Sequence, residues 1–375
     1  MPDPRAERMA HLLVNYSTRI QTGDRVLIEA EPVAEPLVRA VFQCILEAGG
    51  HPHLAISLSG LTYKSGLDDI FLDHASAEQI DFVPTFYQLA YENFESRIRI
   101  WSLSNTKAHS NVKRKLLARR GKALAPIVAS QFARGDRGEF RWVTTLFPTE
   151  AYAQDAEMNL SEFEDLVYRA CHVDDPQGDP IAYWLQVQQE QQKVVDALTG
   201  HDEVVVRGPN CDLTFSIQGR KFINSCGRRN MPDGEVFTGP VEESVNGWVR
   251  FTIPSVSRGN EVEGVEFKFA HGRVVEAMAE KNQSFLESML ETDRGARYMG
   301  EFAIGNNYGI ERPTRNILFD EKIGGTIHIA IGAGYPKTGS VNKSAIHWDF
   351  ITDMRDGGEI LVDGDLVYQG GHFRV

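Results

Sequence analysis

Cysteine is scarce in this chain: Cys44, Cys171, Cys211 and Cys226 are scattered through 375 positions, with no CxxC pair and no zinc-finger spacing. That excludes a disulfide-stapled scaffold and a thiolate-bound structural zinc, and a reducing compartment is the simpler expectation. Positive charge is also short. Lys and Arg number 39 against 52 Asp and Glu, and a formal net charge of −13 attracts neither nucleic acid nor an anionic bilayer. No stretch approaches the roughly twenty apolar residues of a bilayer span, and the opening MPDPRAERMAHLL is charged, without the continuous apolar centre of an export signal. A cytoplasmic protein is expected. The chain lacks a GxSxG elbow, an HExxH helix and any recognisable cysteine nucleophile motif. Hydrolysis would then have to run through metal-activated water.

What is present divides near residue 200. A chain of 375 residues is longer than one ordinary domain and can bury ample core. In residues 1–200 short apolar runs alternate with helical spacing. Val26–Ile28, Leu54–Leu58, Phe82–Phe86, Ile98–Leu103 and Trp142–Phe147 are strand candidates, and Leu37, Val41, Ile45 and Ala48 recur at helical spacing. This predicts an α/β domain on a mainly parallel sheet. Ser161 with Glu164 forms a capping box ahead of one helix, and a second runs over Ile181–Leu198. Residues 201–375 turn to strands and hairpins, interrupted by a helix over Asn282–Leu290. Asp363-Gly364, set between Ile360-Leu361-Val362 and Leu366-Val367-Tyr368, is a two-residue hairpin signal. This half is expected to be a strand-rich α+β domain.

Metal-competent side chains concentrate there. In GTIHIAIG (Gly325–Gly332), Ile327, Ile329 and Ile331 fall on one strand face, with Thr326, His328 and Ala330 on the other. GEFAIG (Gly300–Gly305) repeats the arrangement, with Glu301, Ala303 and Gly305 opposite Phe302 and Ile304. His347 and Asp349, separated by Trp348, point the same way, and Glu235 sits in a Gly/Pro-bounded segment upstream. Taken singly, each residue is ordinary: a strand Glu is usually solvated, and a His-x-Asp pair is usually hydrogen-bonded structure. Repetition argues for more, since separate strands each put one such group on a face otherwise kept small. Carboxylates and imidazoles suit zinc, cobalt, manganese or iron(II), and five of them exceed the needs of one tetrahedral ion.

The runs NMPDGEVFTGPVEESVNGWVR (Asn230–Arg250), GEFAIG, FDE…HIAIG (Phe319–Gly332) and NKSAIHWDFI (Asn342–Ile351), with LLVNYSTRIQTGDRVLIEA near the N-terminus, resemble the thermophilic aminopeptidases, the metallopeptidase family of aminopeptidases T and S. The resemblance covers nearly the whole chain. It implies a homodimeric exopeptidase that acts on peptides with a free N-terminus and holds two divalent ions in its C-terminal domain. It maps ligands onto Glu235, Glu301, His328, His347 and Asp349, and places Tyr335 beside the metals. Glu321 matches an acidic position near the first histidine, but the stretch to His328 is longer than the family pattern, so its place among the ligands stays open. By hypothesis one glutamate, Glu301 ahead of Glu235, bridges the ions or relays a proton, and Tyr335 donates to the oxyanion.

A second reading uses His328, His347 and Asp349 as a two-His-one-carboxylate grip on iron(II), as in ring-cleaving dihydroxypyridine dioxygenases, whose fold is similar to these aminopeptidases. Glu235 and Glu301 discriminate, since a mononuclear iron does not need them. Three other features read as structure. Lys107–Lys122 is basic but suits a solvated helix or loop, Gly332–Gly339 lacks the ending of a phosphate-binding loop, and His51 and His53 have no carboxylate near in sequence.

Overall fold

In the first half the aliphatic runs form parallel strands: β1 (Arg25–Ala30), β2 (His51–Ile56), β3 (Ser96–Trp101) and β4 (Arg141–Leu146), in the order β2-β1-β3-β4. The computed structural model describes residues 3–108, 112–257 and 259–375. Both faces of this sheet are covered at β1, as expected of parallel strands. Leu27 packs with Ala90, Tyr91, Leu124 and Ile127 from the helices Thr85–Asn93 and Arg114–Asp136. Val26 and Ile28 point the opposite way and are equally buried, and the helix Glu35–Glu47 brings Leu37, Val41 and Ile45 to the strand.

The chain separates into two units, Met1–Ile181 with Gly227–Pro232, and Ala182–Cys226 with Asp233–Val375. The expected division near residue 200 therefore moves in two ways. The helix Pro180–Leu198 goes largely with the second unit, because its Val194, Val195 and Leu198 enter that unit's core. Later the segment Gly227–Pro232 returns to the first unit, where β5 (Asn230–Met231) adds to β4 in parallel.

Three local expectations are also revised. Phe82–Phe86 is not a strand: Pro84 is the N-cap of the helix Thr85–Asn93, a position where its missing N–H costs no hydrogen bond. The capping box is Asn159 with Glu162 rather than Ser161 with Glu164, so the helix begins at Leu160. In the basic run, residues 109–111 lie outside the described residues, and Arg120 is not solvated. It is 1 % exposed and donates to the carbonyls of Tyr63, Ile80 and Phe82.

The second unit stacks two antiparallel sheets. One has eight strands, among them Glu203–Gly208, Cys211–Ser216, Asn246–Arg250 and Glu266–Ala270. The Asp363-Gly364 hairpin sits in it as expected, with φ of 50° and 91°. The other sheet contains β6 (Glu235–Thr238), β7 (Met299–Gly305), β8 (Thr326–Gly332) and β9 (His347–Asp353), in the order β9-β8-β7-β6, with Ile223–Ser225 outside β6. Phe302 and Phe350 of this sheet meet Phe215 and Phe267 of the first, at centroid distances of 5.0 and 4.9 Å. No helix among the described residues is long and apolar enough to cross a membrane.

Candidate metal centre

Register decides what the second sheet presents. Glu235 lies opposite Gly305, His328 opposite Ala303, Glu301 opposite Ala330, Ala330 opposite Asp349, and Gly332 opposite His347. Directly opposed residues share a sheet face, so Glu235, Glu301, His328, His347 and Asp349 all project from one side, with Gly and Ala between them. Val236, Phe302, Ile304, the isoleucines of β8, Trp348 and Phe350 fill the other side and enter the core. Their burial holds the polar side chains in place. A bulge between Met299 and Glu301 lets β7 keep this register. A Cβ on Gly300 would lie 2.5 Å from the carbonyl oxygens of Gly332 and Ala333, so only glycine fits there.

The five side chains converge. His328 Nε2 lies 3.4 Å from Glu235 and 3.6 Å from Glu301 Oε1, while His347 Nε2 lies 3.2 Å from Glu301 Oε2 and 3.4 Å from Asp349. Three groups have ligand atoms within 4.8 Å of one another: Glu235–Glu301–His328, Glu301–His347–Asp349 and Glu321–His328–Asp349. Glu321, left open by the sequence, thus joins the cluster. Among the described residues no such group holds His328 and His347 together, so the three residues of the iron(II) reading are not gathered as one set.

Burial makes the arrangement demanding. His328 is 1 % exposed and Glu301 4 %, yet Glu235 Oε2, His328 Nδ1 and Asp349 Oδ1 make no hydrogen bond. Buried polar atoms are ordinarily satisfied, and the lone pairs left over on Glu235 and Asp349 are the donor chemistry of a divalent ion. The residues fit such a group. Burial favours a neutral acid at Glu301, but His328 and His347 hold it down to about 2. Burial likewise opposes charge on His328, and the contact with Glu301 and the field of Glu235 lift it to about 9. Burial raises Glu321 to about 7; Lys322 opposes the rise and Glu235 and Asp349 add to it. Without metal, then, the surrounding carboxylates favour a proton on His328, in competition with ion binding.

Sequence reasoning missed Lys322 and Asp233. Lys322 is 1 % exposed, and its Nζ lies 2.5 Å from Glu235 Oε1, 2.8 Å from Glu321 and 3.7 Å from Asp233. It occupies one oxygen of Glu235 and leaves the other facing His328. The available signal was position: Lys322 directly follows Glu321, and Asp233 stands two residues before Glu235. Tyr335 lies beside the cluster, its ring edge-on to His347 at 5.1 Å and tilted against Phe237 at 5.4 Å. Glu242 accepts from Arg220, Ser340 Oγ and the Val341 N–H, bracing the chain just beyond the Tyr335 turn. His53, by contrast, contacts the His51 carbonyl and the Phe94 ring.

Known proteins resemble this chain over nearly its full length. The chain is 28 % identical to aminopeptidase 2 of Geobacillus stearothermophilus over 397 residues, covering 96 % of this chain and 93 % of that one. Among solved structures, wild-type AmpT from Thermus thermophilus superposes with a TM-score of 0.83 at 23 % identity over 99 % of both chains. The 2,5-dihydroxypyridine dioxygenase of Pseudomonas putida shares the fold more loosely, with a TM-score of 0.55 at 11 % identity over 98 % of this chain and 96 % of that one. The sequence model of the thermophilic metalloprotease family (M29) matches residues 3–373, and the chain belongs to that family.

Proposed function

We propose that this protein is a metallo-aminopeptidase that releases N-terminal residues from peptides at a dinuclear centre formed by Glu235, Glu301, His328, His347 and Asp349, with Glu321 at its edge. The observation that carries the reading is the sharing of Glu301. Its Oε1 faces His328 and its Oε2 faces His347, so one carboxylate serves two ligand groups, as a bridging ligand does. Charge supports the same count. Asp233, Glu235, Glu301, Glu321 and Asp349 against Lys322 leave four negative charges when both imidazoles are neutral, matching two divalent ions of zinc, cobalt or manganese.

Bound there, two divalent ions would lower the pKa of a water from ~16 to about 7 and polarise the scissile carbonyl. The chain's residues do the rest. Lys322 fixes one oxygen of Glu235 and thereby directs the other. One glutamate, Glu301 ahead of Glu235, either joins the two ligand groups or relays the proton of the attacking water. Tyr335 donates its hydroxyl to the developing oxyanion. A cytoplasmic homodimer completes this reading, and the scarcity of cysteine suits a reducing compartment.

Metal analysis of protein purified without added metal, run beside aminoacyl-amide hydrolysis, tests the proposal. About two ions per chain are expected, with activity lost on chelation and restored by cobalt, zinc or manganese. One iron per chain with oxygen uptake, or full activity in metal-stripped protein, would overturn it.

A further inference from the structure

Tyr335 stands in the connection from β8 to β9, whose stem and tip are held by different means. At the stem, the Gly332 N–H donates to the Tyr298 carbonyl and the Ala333 N–H to the Ile346 carbonyl, both at 2.8 Å, and the Ala333 carbonyl accepts from His347 Nδ1 at 2.7 Å. The tip turns back through a short helical turn, Pro336–Thr338. There the Thr338 N–H and hydroxyl both donate to the Tyr335 carbonyl, at 3.0 and 2.7 Å, and Gly339 takes a φ of 93°. Tyr335 itself is 41 % exposed and its ring rests against Phe237 and His347, so where its hydroxyl points depends on where the tip is held.

Two side chains from elsewhere in the second unit hold that tip. One oxygen of Glu242 accepts from the Val341 N–H at 2.7 Å, Ser340 Oγ at 3.1 Å and the Asn342 N–H at 3.3 Å. Its other oxygen accepts from Arg220, whose guanidinium also donates to the Gly339 carbonyl, and the neighbouring Lys221 N–H donates to the Thr338 carbonyl at 2.9 Å. The pair therefore engages Gly339, Ser340, Val341 and Asn342 in succession. Hydrogen bonds to ionised groups are about twice as strong as neutral ones. Water competes little with them here, since the side chains of Arg220 and Glu242 are 8 % and 16 % exposed. Burial opposes the charge on Glu242, but the Val341 N–H and Arg220 hold its pKa below the usual value.

We propose that Glu242 and Arg220 are positioning residues for turnover: by fixing the loop tip they place the Tyr335 hydroxyl where the oxyanion forms. The inference rests on the aminopeptidase reading and extends it to residues outside the ligand set. The strands hold the stem, so loosening the tip leaves the contact between Ala333 and His347, and with it metal binding, in place. A catalytic group displaced by about 1 Å can lose on the order of 10²-fold in rate. Because the pair acts through Tyr335, its loss costs at most what Tyr335→Phe costs.

Hydrogen exchange of residues 333–342, in metal-free and zinc-loaded protein, is read beside aminoacyl-amide hydrolysis. In Glu242→Ala the Val341 and Asn342 N–H groups should exchange at least ~10-fold faster, with the strands of the second unit unchanged. Its kcat should fall roughly 10- to 100-fold, with metal content and KM near wild type. Glu242→Gln, which keeps an oxygen for the Val341 N–H, should recover part of both losses. Added to Tyr335→Phe, Glu242→Ala should cost little more in kcat, because the hydroxyl it positions is already gone. Unchanged exchange would refute the clamp. A full multiplication of the two kcat losses, or a loss confined to KM or to metal content, would refute its action through Tyr335. Should Glu242→Ala not fold, Arg220→Lys, which cannot reach both Glu242 and the Gly339 carbonyl, carries the same comparisons. Metal-loaded wild type that hydrolyses no aminoacyl amide would instead sink the aminopeptidase reading and this inference with it, before any substitution is made.

Discussion

Replacing Lys322 by Met removes the fixed cation of the candidate centre while keeping a linear side chain of similar length. The ammonium is buried, its pKa is raised well above the usual lysine value because Glu235, Glu321 and Asp233 outweigh the burial that opposes it, and it touches Glu235 at 2.5 Å. Breaking a buried charge pair by removing one partner costs roughly 3–5 kcal/mol, because the remaining charge is left uncompensated. For a unit of this size each kcal/mol lowers the melting temperature by about 2–4 °C, so metal-free Lys322→Met should melt roughly 10 °C below metal-free wild type. Metal-loaded protein should lose distinctly less, since bound ions take over compensation of Glu235. Thermal unfolding of both proteins, with chelator and with saturating zinc at pH 8, measures the two differences. A purely packing role for the lysine stem would lower both forms equally. Equal shifts would therefore refute the argument that Lys322 acts through the charge of the centre.

Loss of a candidate ligand should separate cleanly from loss of a nearby acid: His347→Ala or Asp349→Ala should reduce activity at least ~100-fold with a matching loss of bound metal. Glu243→Gln, at an exposed position, should stay near wild type, and equal losses at all three would remove the basis for the ligand assignment. Tyr335→Phe keeps the ring contacts with His347 and Phe237 but deletes the hydroxyl, so kcat should fall by ~10² to 10³ with metal content and KM nearly unchanged. Unchanged turnover would make the tyrosine a spectator. In the first unit, burial opposes ionisation of Glu29, but Arg99, Lys64 and Arg97 hold its pKa far below the ordinary 4.5. A depressed carboxylate stabilises the fold above its unfolded pKa, and that stability drains away as pH falls below about 4.5. Urea titrations of metal-free protein should therefore show Glu29→Gln destabilised at pH 7, with the difference from wild type shrinking toward pH 3. A difference that does not change with pH would contradict the sign.

Legibility in the sequence followed the range of the interactions involved. Period-two alternation is local, so Ile327, Ile329 and Ile331 already marked one face of β8 and left His328 on the other, and the Asp363-Gly364 turn needed only its own φ values. That β6 to β9 lie side by side was not local. It depends on which strands pair, and the family resemblance rather than periodicity pointed to convergence. Phe82–Phe86 reads as a strand because the cap that Pro84 forms becomes recognisable only with the helix that follows. The break near residue 200 was placed after a helix whose Val194, Val195 and Leu198 belong to the later core, a matter of which half supplies the apolar surface to bury them. Lys322 is the most instructive miss. In sequence a lysine beside two acids reads as surface charge, since lysine is almost never fully buried without a partner. Its partner Glu235 stands 87 positions away, so no window along the chain contains both. Carboxylates gathered for a cation need a counter-charge before that cation arrives, which argues for looking for a buried lysine or arginine wherever strands bring several acids onto one face.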